Sequence, residues 1–184
     1  GGQWFVEVDL SANESTPHEI VATVTDLAGN MSGSSAATSI IVDRTAPTAP
    51  SGLDLSATDD SGASANDDIT NVTTGLTLSG SAEAGSTVTL SSSLDGAVGT
   101  VVATGAGDWT IDIGLTANDA TPHDVTAVSA DVAGNASTAS TALSLTVDAT
   151  APASPTISGP AAGGYYIGNA PYEFSLGGVE PGAG

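Results

Sequence analysis

An acidic loop, residues 59–68, carries the densest group of side chains that could do chemistry: four Asp, one Asn and two Ser around Gly62. Carboxylates, amides and hydroxyls are the oxygen donors that calcium prefers, and calcium accepts about six to eight of them in irregular geometry. The spacing is not that of an EF-hand. Because so many carboxylates repel one another unless a cation lies among them, we interpret the loop as a calcium site. The alternative is a solvated turn, since Asp, Ser and Gly are common in turns.

The acidic loop follows a short segment, Val42–Pro47, that recurs as Val147–Pro152. Each copy has the pattern of a strand end followed by a hinge. Pro47 and Pro50 restrict the backbone of the first hinge further. We therefore expect calcium at this joint to stiffen the connection between two β domains.

Other chemistries fit the sequence less well. Zinc sites use Cys and His ligands, and this chain has no Cys and only two His. His18 and His123 lie at equivalent positions, each between a Pro and an acidic residue, and we interpret them as loop caps. The chain contains no Gly-x-Ser-x-Gly elbow of a hydrolase and no predicted helix to follow a phosphate-binding loop. We expect no enzyme activity.

The charge balance excludes several classes of partner. The 184 residues include 21 acidic and 1 basic, which gives a net charge of −20. Nucleic acid and anionic membranes need Lys and Arg, so neither is expected as a partner. No run approaches the ~20 apolar residues of a membrane helix, so membrane insertion is not expected. No leader segment is visible and the chain begins in mid-pattern, so we expect a piece of a longer secreted protein.

An internal repeat sets the domain organisation. The segment Gly2–Pro50 aligns with Gly107–Pro155 without a gap, and nearly half of the positions are identical. A second match, Asp68–Leu78 with Tyr166–Leu176, runs from the whole unit to the last part of the chain. We predict the back part of one repeat at 1–44, a complete repeat at 45–149, and the front part of a third, divergent β domain at 150–184.

The complete repeat reads as a β-sandwich of about seven strands, because short apolar–polar alternations are separated by Gly and Asp turns with no helical period. Trp109, which matches Trp4 in the other copy, is predicted to fill the core between the two sheets. The predicted strands are Ser51–Leu55, Ile69–Thr73, Leu76–Gly80, Thr87–Ser92, Val98–Thr104, Trp109–Ile113, Val125–Ala130 and Ala142–Val147.

Two motifs in combination resemble a known family. Asp131–Asn135, of sequence Asp-Val-Ala-Gly-Asn, precedes Val147–Pro152, and Asp26–Asn30 precedes Val42–Pro47 in the same way. This pattern resembles the tandem bacterial immunoglobulin-like repeats of giant surface adhesins, both calcium-dependent RTX-type adhesins exported by type I secretion and biofilm-associated proteins. The resemblance implies all-β, tandem Ig-like sandwiches in an extended rod on the bacterial cell surface, with calcium at the junctions.

The resemblance also implies a set of calcium ligands. Near the second junction the acidic loop is replaced by residues 161–165, so a less complete site is expected there. The implied ligands, from both junctions, are Asp26, Asp43, Asp59, Asp60, Asp67, Asp68, Asp131 and Asp148.

The function predicted from these observations is that of a structural extender, or stalk, in a large adhesin. Calcium would stiffen it, neighbouring repeats of the same polypeptide would be its partners, and a distal domain would bind for adhesion or biofilm formation. The alternative is a module that itself binds a glycan or a protein. Its binding part would be the aromatic third unit, which contains Tyr165, Tyr166, Tyr172 and Phe174.

Overall fold

The computed structural model describes residues 3–158 and 175–177, and none of them forms a helix. No helix in this part of the chain could therefore cross a membrane. The chain divides into two compact units, Gly1–Asp148 and Ala149–Gly184.

The first unit contains a complete sandwich of two sheets. Their strand orders are β3-β5-β8 and β4-β10-β9-β6-β7. All neighbouring pairs are antiparallel except β4 with β10, which run parallel with Ile69 opposite Thr146. The strands are β3 (Ser51–Leu55), β4 (Ile69–Thr70), β5 (Thr74–Ser81), β6 (Thr87–Ser92), β7 (Gly96–Val102), β8 (Asp108–Gly114), β9 (His123–Ala130) and β10 (Leu143–Val147).

The core of the sandwich lies between the sheets and follows the predicted alternation. Every second residue of β5, β6 and β9 points inward, so one face of each strand is apolar and the other is polar. The all-β prediction is confirmed. The most deeply buried apolar side chains are Leu76, Leu78, Val88, Leu90, Val125, Ala127, Leu145 and Val147.

Several strand boundaries differ from the sequence prediction by one to three residues, and the differences at the start of β7 and the end of β4 have a clear cause. Strand β7 begins at Gly96 rather than Val98, because Gly96 has a φ of 72° in the turn and already pairs with Ser92. Strand β4 ends at Thr70 rather than Thr73, since only Ile69 and Thr70 lie alongside β10. Both differences depend on which strand lies opposite, and the local sequence does not show that.

Trp109 fills the core as predicted, with an exposed fraction of 2%. Its indole lies directly against the backbone of β5. A Cβ atom placed on Gly80 would lie 2.5 Å from Cζ2 of Trp109, so only glycine leaves room for the ring. Gly80 is the residue opposite Trp109 in the β5–β8 pair, so the indole covers the backbone of the neighbouring strand.

Residues 3–42 contain a two-stranded sheet of β1 (Asn13–Ile20) and β2 (Thr38–Val42), paired antiparallel. The sequence matches 108–147, but its apolar face is open. Trp4 is 65% exposed and Ile40 is 39% exposed, whereas the matching Trp109 and Leu145 are 2% and 0% exposed. The difference arises because no strands equivalent to β5 and β6 cover this face in the described chain.

In the second unit, β11 (Thr156–Ser158) pairs antiparallel with β12 (Ser175–Gly177). Tyr165, Tyr166, Tyr172 and Phe174, on which the alternative binding function rests, lie outside the described residues.

The two tryptophans make a matched pair for stability measurements. Replacing Trp109 with Ala should lower the free energy of unfolding by roughly 3–5 kcal/mol, because a buried aromatic side chain is lost and a cavity remains. The Trp4→Ala variant should change it by about 0.5 kcal/mol or less, as expected for an exposed position. Urea unfolding followed by circular dichroism measures both. Equal losses in the two variants would contradict this account of the core.

Candidate metal centre

The acidic loop is a folded structure between β3 and β4. The backbone N–H groups of Asp59 and Asp60 donate to the carbonyl of Ser56 at 2.8 and 3.1 Å. Thr70 Oγ1 donates to the carbonyl of Asp59 at 2.6 Å, which ties the loop to β4. The loop bends at Gly62, where φ is 112°.

Asp60 is the centre of the loop. It is 6% exposed, and its Oδ2 accepts hydrogen bonds from the backbone N–H groups of Asp67 (3.0 Å) and Asp68 (3.3 Å). Its Oδ1 is also buried, but no donor within the described chain reaches it. A buried carboxylate oxygen without a partner is costly. A hard cation such as calcium would satisfy this oxygen, so the local chemistry fits a metal.

Asp68 shows that negative charges act on one another in and beside the loop. Burial raises the pKa of the Asp68 carboxyl, and the negative charges of Asp60, Asp54 and Asp67 raise it further. Its backbone is in the left-handed region, with φ of 57°, where Asp and Asn are the most tolerated residues after Gly. Asp54 belongs to this group although it lies in β3. The sequence prediction missed it because only the folded chain brings the strand beside the loop.

The other loop aspartates have structural partners. Asp59 Oδ2 accepts from the backbone N–H of Thr77 at 2.9 Å and so fixes the loop to β5. Asp67 Oδ1 accepts from the backbone N–H of Ile69 at 3.3 Å. Over residues 3–158 and 175–177, no three His, Asp or Glu side chains converge as they would around a bound metal. A calcium ion at Asp60 would therefore need a rearrangement of neighbouring carboxylates, together with carbonyl or water oxygens.

The predicted ligands outside the loop lie in other settings. In Asp131, Oδ1 accepts from the backbone N–H of Asn135 at 2.8 Å and Oδ2 accepts from its Nδ2 at 2.8 Å. Asp26 and Asn30 make the same pair of contacts, each at 2.9 Å. The side-chain amides of these asparagines are the main reason that the pKa of both carboxyls lies below its usual range.

The asparagines were not predicted as functional residues, although the recurring Asp-x-x-Gly-Asn pattern carries the signal. Asp43 Oδ1 accepts from the backbone N–H of Thr45 at 2.9 Å. The backbone N–H of Asp148 donates to the carbonyl of Thr70 at 2.8 Å. A calcium role for Asp26, Asp43, Asp131 or Asp148 stays a prediction.

The two histidines cap loops, as interpreted from the sequence. His123 is fully buried, and its Nε2 lies 2.8 Å from the carbonyl of Thr116, which can only accept. Nε2 therefore donates a hydrogen to this carbonyl, and Nδ1 lies 2.7 Å from Ser92 Oγ. Asp95 Oδ2 lies 3.7 Å from Nδ1. His18 makes the same contact with the carbonyl of Ser11, at 2.8 Å.

Comparison with known proteins gives one family match. The profile described as "Bacterial Ig-like domain" matches residues 46–149. A solved structure titled "Biofilm associated protein - BSP domain" is 22% identical over 75% of this chain, with a TM-score of 0.36. This chain spans only 20% of the length of that one. No curated protein matches.

Asp68 provides a test of the crowded carboxylates. Because folding raises its pKa, the folded state holds a proton more tightly than the unfolded state. In chelator, stability should therefore rise as pH falls from neutral towards the raised pKa, and this contribution should level off below the ordinary value of 3.8.

The Asp68→Asn variant removes the charge and suits the left-handed backbone. In chelator at pH 7 it should raise the free energy of unfolding by less than about 1 kcal/mol, because the group is partly exposed and solvent screens its charge. The control, Asp119→Asn, changes an exposed carboxylate of another loop and should have no such effect. Urea unfolding across a pH series measures the free energy of unfolding of both variants. A lower value for Asp68→Asn than for the unaltered chain would refute the repulsion between these carboxylates.

Proposed function

This chain belongs to the bacterial Ig-like domain family, and from that premise we propose that it is a structural extension module of a bacterial cell-surface adhesin, stiffened by calcium at the joint between repeats. The observation that carries the proposal is the buried Oδ1 of Asp60, to which the described chain supplies no hydrogen-bond donor; Asp60 lies in the acidic loop that follows the linker (residues 43–50) and β3. Its partners are neighbouring repeats of the same polypeptide, and its location is extracellular.

The build of the sandwich supports a mechanical role. The longest strands of the complete repeat, β5 and β9, contain 8 residues each. At about 3.3 Å per residue, they span about 26 Å, to which turns and linker add. A series of such repeats lengthens a surface protein in proportion to their number, and it needs no catalytic residue to do so.

Calcium supplies two things at the acidic loop. It neutralises the mutual repulsion of Asp54, Asp60, Asp67 and Asp68, which together with the larger effect of burial raises the pKa of Asp68. It also binds the folded loop in preference to the unfolded chain, so it increases stability by mass action. The chain's own contribution is to hold Asp60 rigidly through the amides of Asp67 and Asp68, which leaves Oδ1 free to bind a cation.

Calorimetric titration with calcium tests the site directly. We expect calcium to bind the unaltered chain and to raise its unfolding temperature. The Asp60→Asn variant should weaken binding by about tenfold or more, because calcium affinity depends on the number of charged ligands. Asp119→Asn is the matched control for loss of one negative charge and should bind as the unaltered chain does.

Small-angle scattering tests the mechanical part of the proposal. Adding chelator should broaden the distribution of maximum dimensions, because the joint between the repeats loses its cation. An unchanged profile, with calcium bound in calorimetry, would remove the stiffening role and leave only a stabilising one. Failure of calcium to bind at all would refute the metal centre.

A further inference from the structure

The turn between β9 and β10 is closed by one aspartate–asparagine pair. The backbone N–H of Asp131 donates to the carbonyl of Asn135 at 3.0 Å, and that of Gly134 donates to the carbonyl of Asp131 at 3.2 Å. The Asp131 carboxylate then accepts from both the backbone N–H and the side-chain amide of Asn135. The Asn135 side chain is therefore held in one orientation.

A side-chain amide has two N–H donors, and Asp131 uses one of them. The Nδ2 of Asn135 also lies 3.3 Å from the carbonyl oxygen of Asp43, in the linker that enters the sandwich. Nearby in β9, Ser129 Oγ donates to the carbonyl of Thr48 at 3.3 Å. Two side chains of the β9–β10 hairpin thus contact the linker, one near its beginning and one near its end.

The end of β2 and the β9–β10 turn also lie close together around the contact of Asn135 with Asp43. Ile41 and Asp43, at the end of β2, line a groove of about 410 Å³ together with Val132 and Ala133 of the turn. Val132 is 95% exposed at the tip of the turn, next to this groove. The end of one repeat and the turn of the next are therefore neighbours in the structure.

The first copy of the turn shows that closure does not require a linker. Asp26 and Asn30 make the same hydrogen bonds, and Gly29 has a φ of 89° where Gly134 has 94°. Leu27, which matches Val132, is fully exposed. The pair thus forms without a linker. It holds the second side-chain N–H of the asparagine in a fixed orientation, in which it can donate to a backbone carbonyl.

We propose that the Asp131–Asn135 pair is a latch that receives the linker of the preceding repeat and aligns it without any metal. Asp26–Asn30 is the same latch, and the partner that it fits is the carbonyl-bearing end of another Ig-like repeat, of the sequence type Val42–Pro47. The inference rests on the proposed extension role for its purpose, but its physical basis is independent of calcium.

Distance measurements between spin labels test the latch. The chain has no Cys, so labels can be attached at Thr38→Cys in β2 and Thr100→Cys in β7, both exposed. With chelator present, Asn135→Ala should increase about fivefold the population of molecules whose label-to-label distance differs from that of the latched linker. This is the effect of losing one typical hydrogen bond. Asn30→Ala, which opens the equivalent turn away from the linker, should leave the distribution unchanged.

A second variant distinguishes loss of the contact with Asp43 from loss of the turn itself. Asn135→Ser keeps a short donor for Asp131 but cannot span to Asp43, so it should displace the linker as Asn135→Ala does while circular dichroism shows an intact sandwich. An unchanged distribution in both Asn135 variants, or an equal change in Asn30→Ala, would overturn the latch. Repeating the series with calcium separates the calcium joint from the latch. If calcium narrows the distribution of label-to-label distances in every variant, the calcium joint is supported whether or not the latch exists.

Discussion

The structure is governed by a shortage of positive charge. Arg44 is the single basic side chain against 21 acidic ones, so carboxylates cannot be neutralised by salt bridges and must find N–H donors instead. Asp59 uses the backbone of β5, and Asp95 uses the backbone and hydroxyl of Thr116, whose N–H is the main cause of its lowered pKa. Asp131 uses an asparagine. Backbone amides thus take the place that lysine and arginine occupy in other proteins.

The aspartates are of two kinds, which differ in whether N–H donors reach both oxygens of the carboxylate. Where amide donors saturate both oxygens, as at Asp131, the carboxylate stabilises a turn and its pKa is lowered. Where they do not, as at the buried Oδ1 of Asp60, a negative charge is left for which the described chain supplies no counterpart. A cation suits the second kind much better than the first. The joint is then supported from two sides, by the hydrogen bonds of the latch and by the proposed calcium ion in the loop.

Local pattern was enough to predict most of the sandwich. The alternation of Val88 and Leu90 defined β6 with its observed bounds, Thr87–Ser92. Trp109 was recognisable as a core residue because it recurs in the repeat. The acidic loop was visible as a cluster, but the burial of Asp60 follows from the way the loop folds, which brings the amides of Asp67 and Asp68 to its Oδ2. The contact of Asn135 with Asp43 joins residues far apart in the chain, and no spacing rule in the sequence reveals it.

The direction of β4 has a mechanical consequence. It enters the sandwich directly after the acidic loop and runs parallel to β10, the last strand, through bonds from the N–H groups of Thr146 and Asp148 to the carbonyls of Asp68 and Thr70. Tension on the two ends of the repeat slides parallel strands past each other, so these bonds bear the load together in shear instead of unzipping in turn. The acidic loop joins β3 to β4 directly before these bonds, and any ion held there would brace the start of the parallel pair.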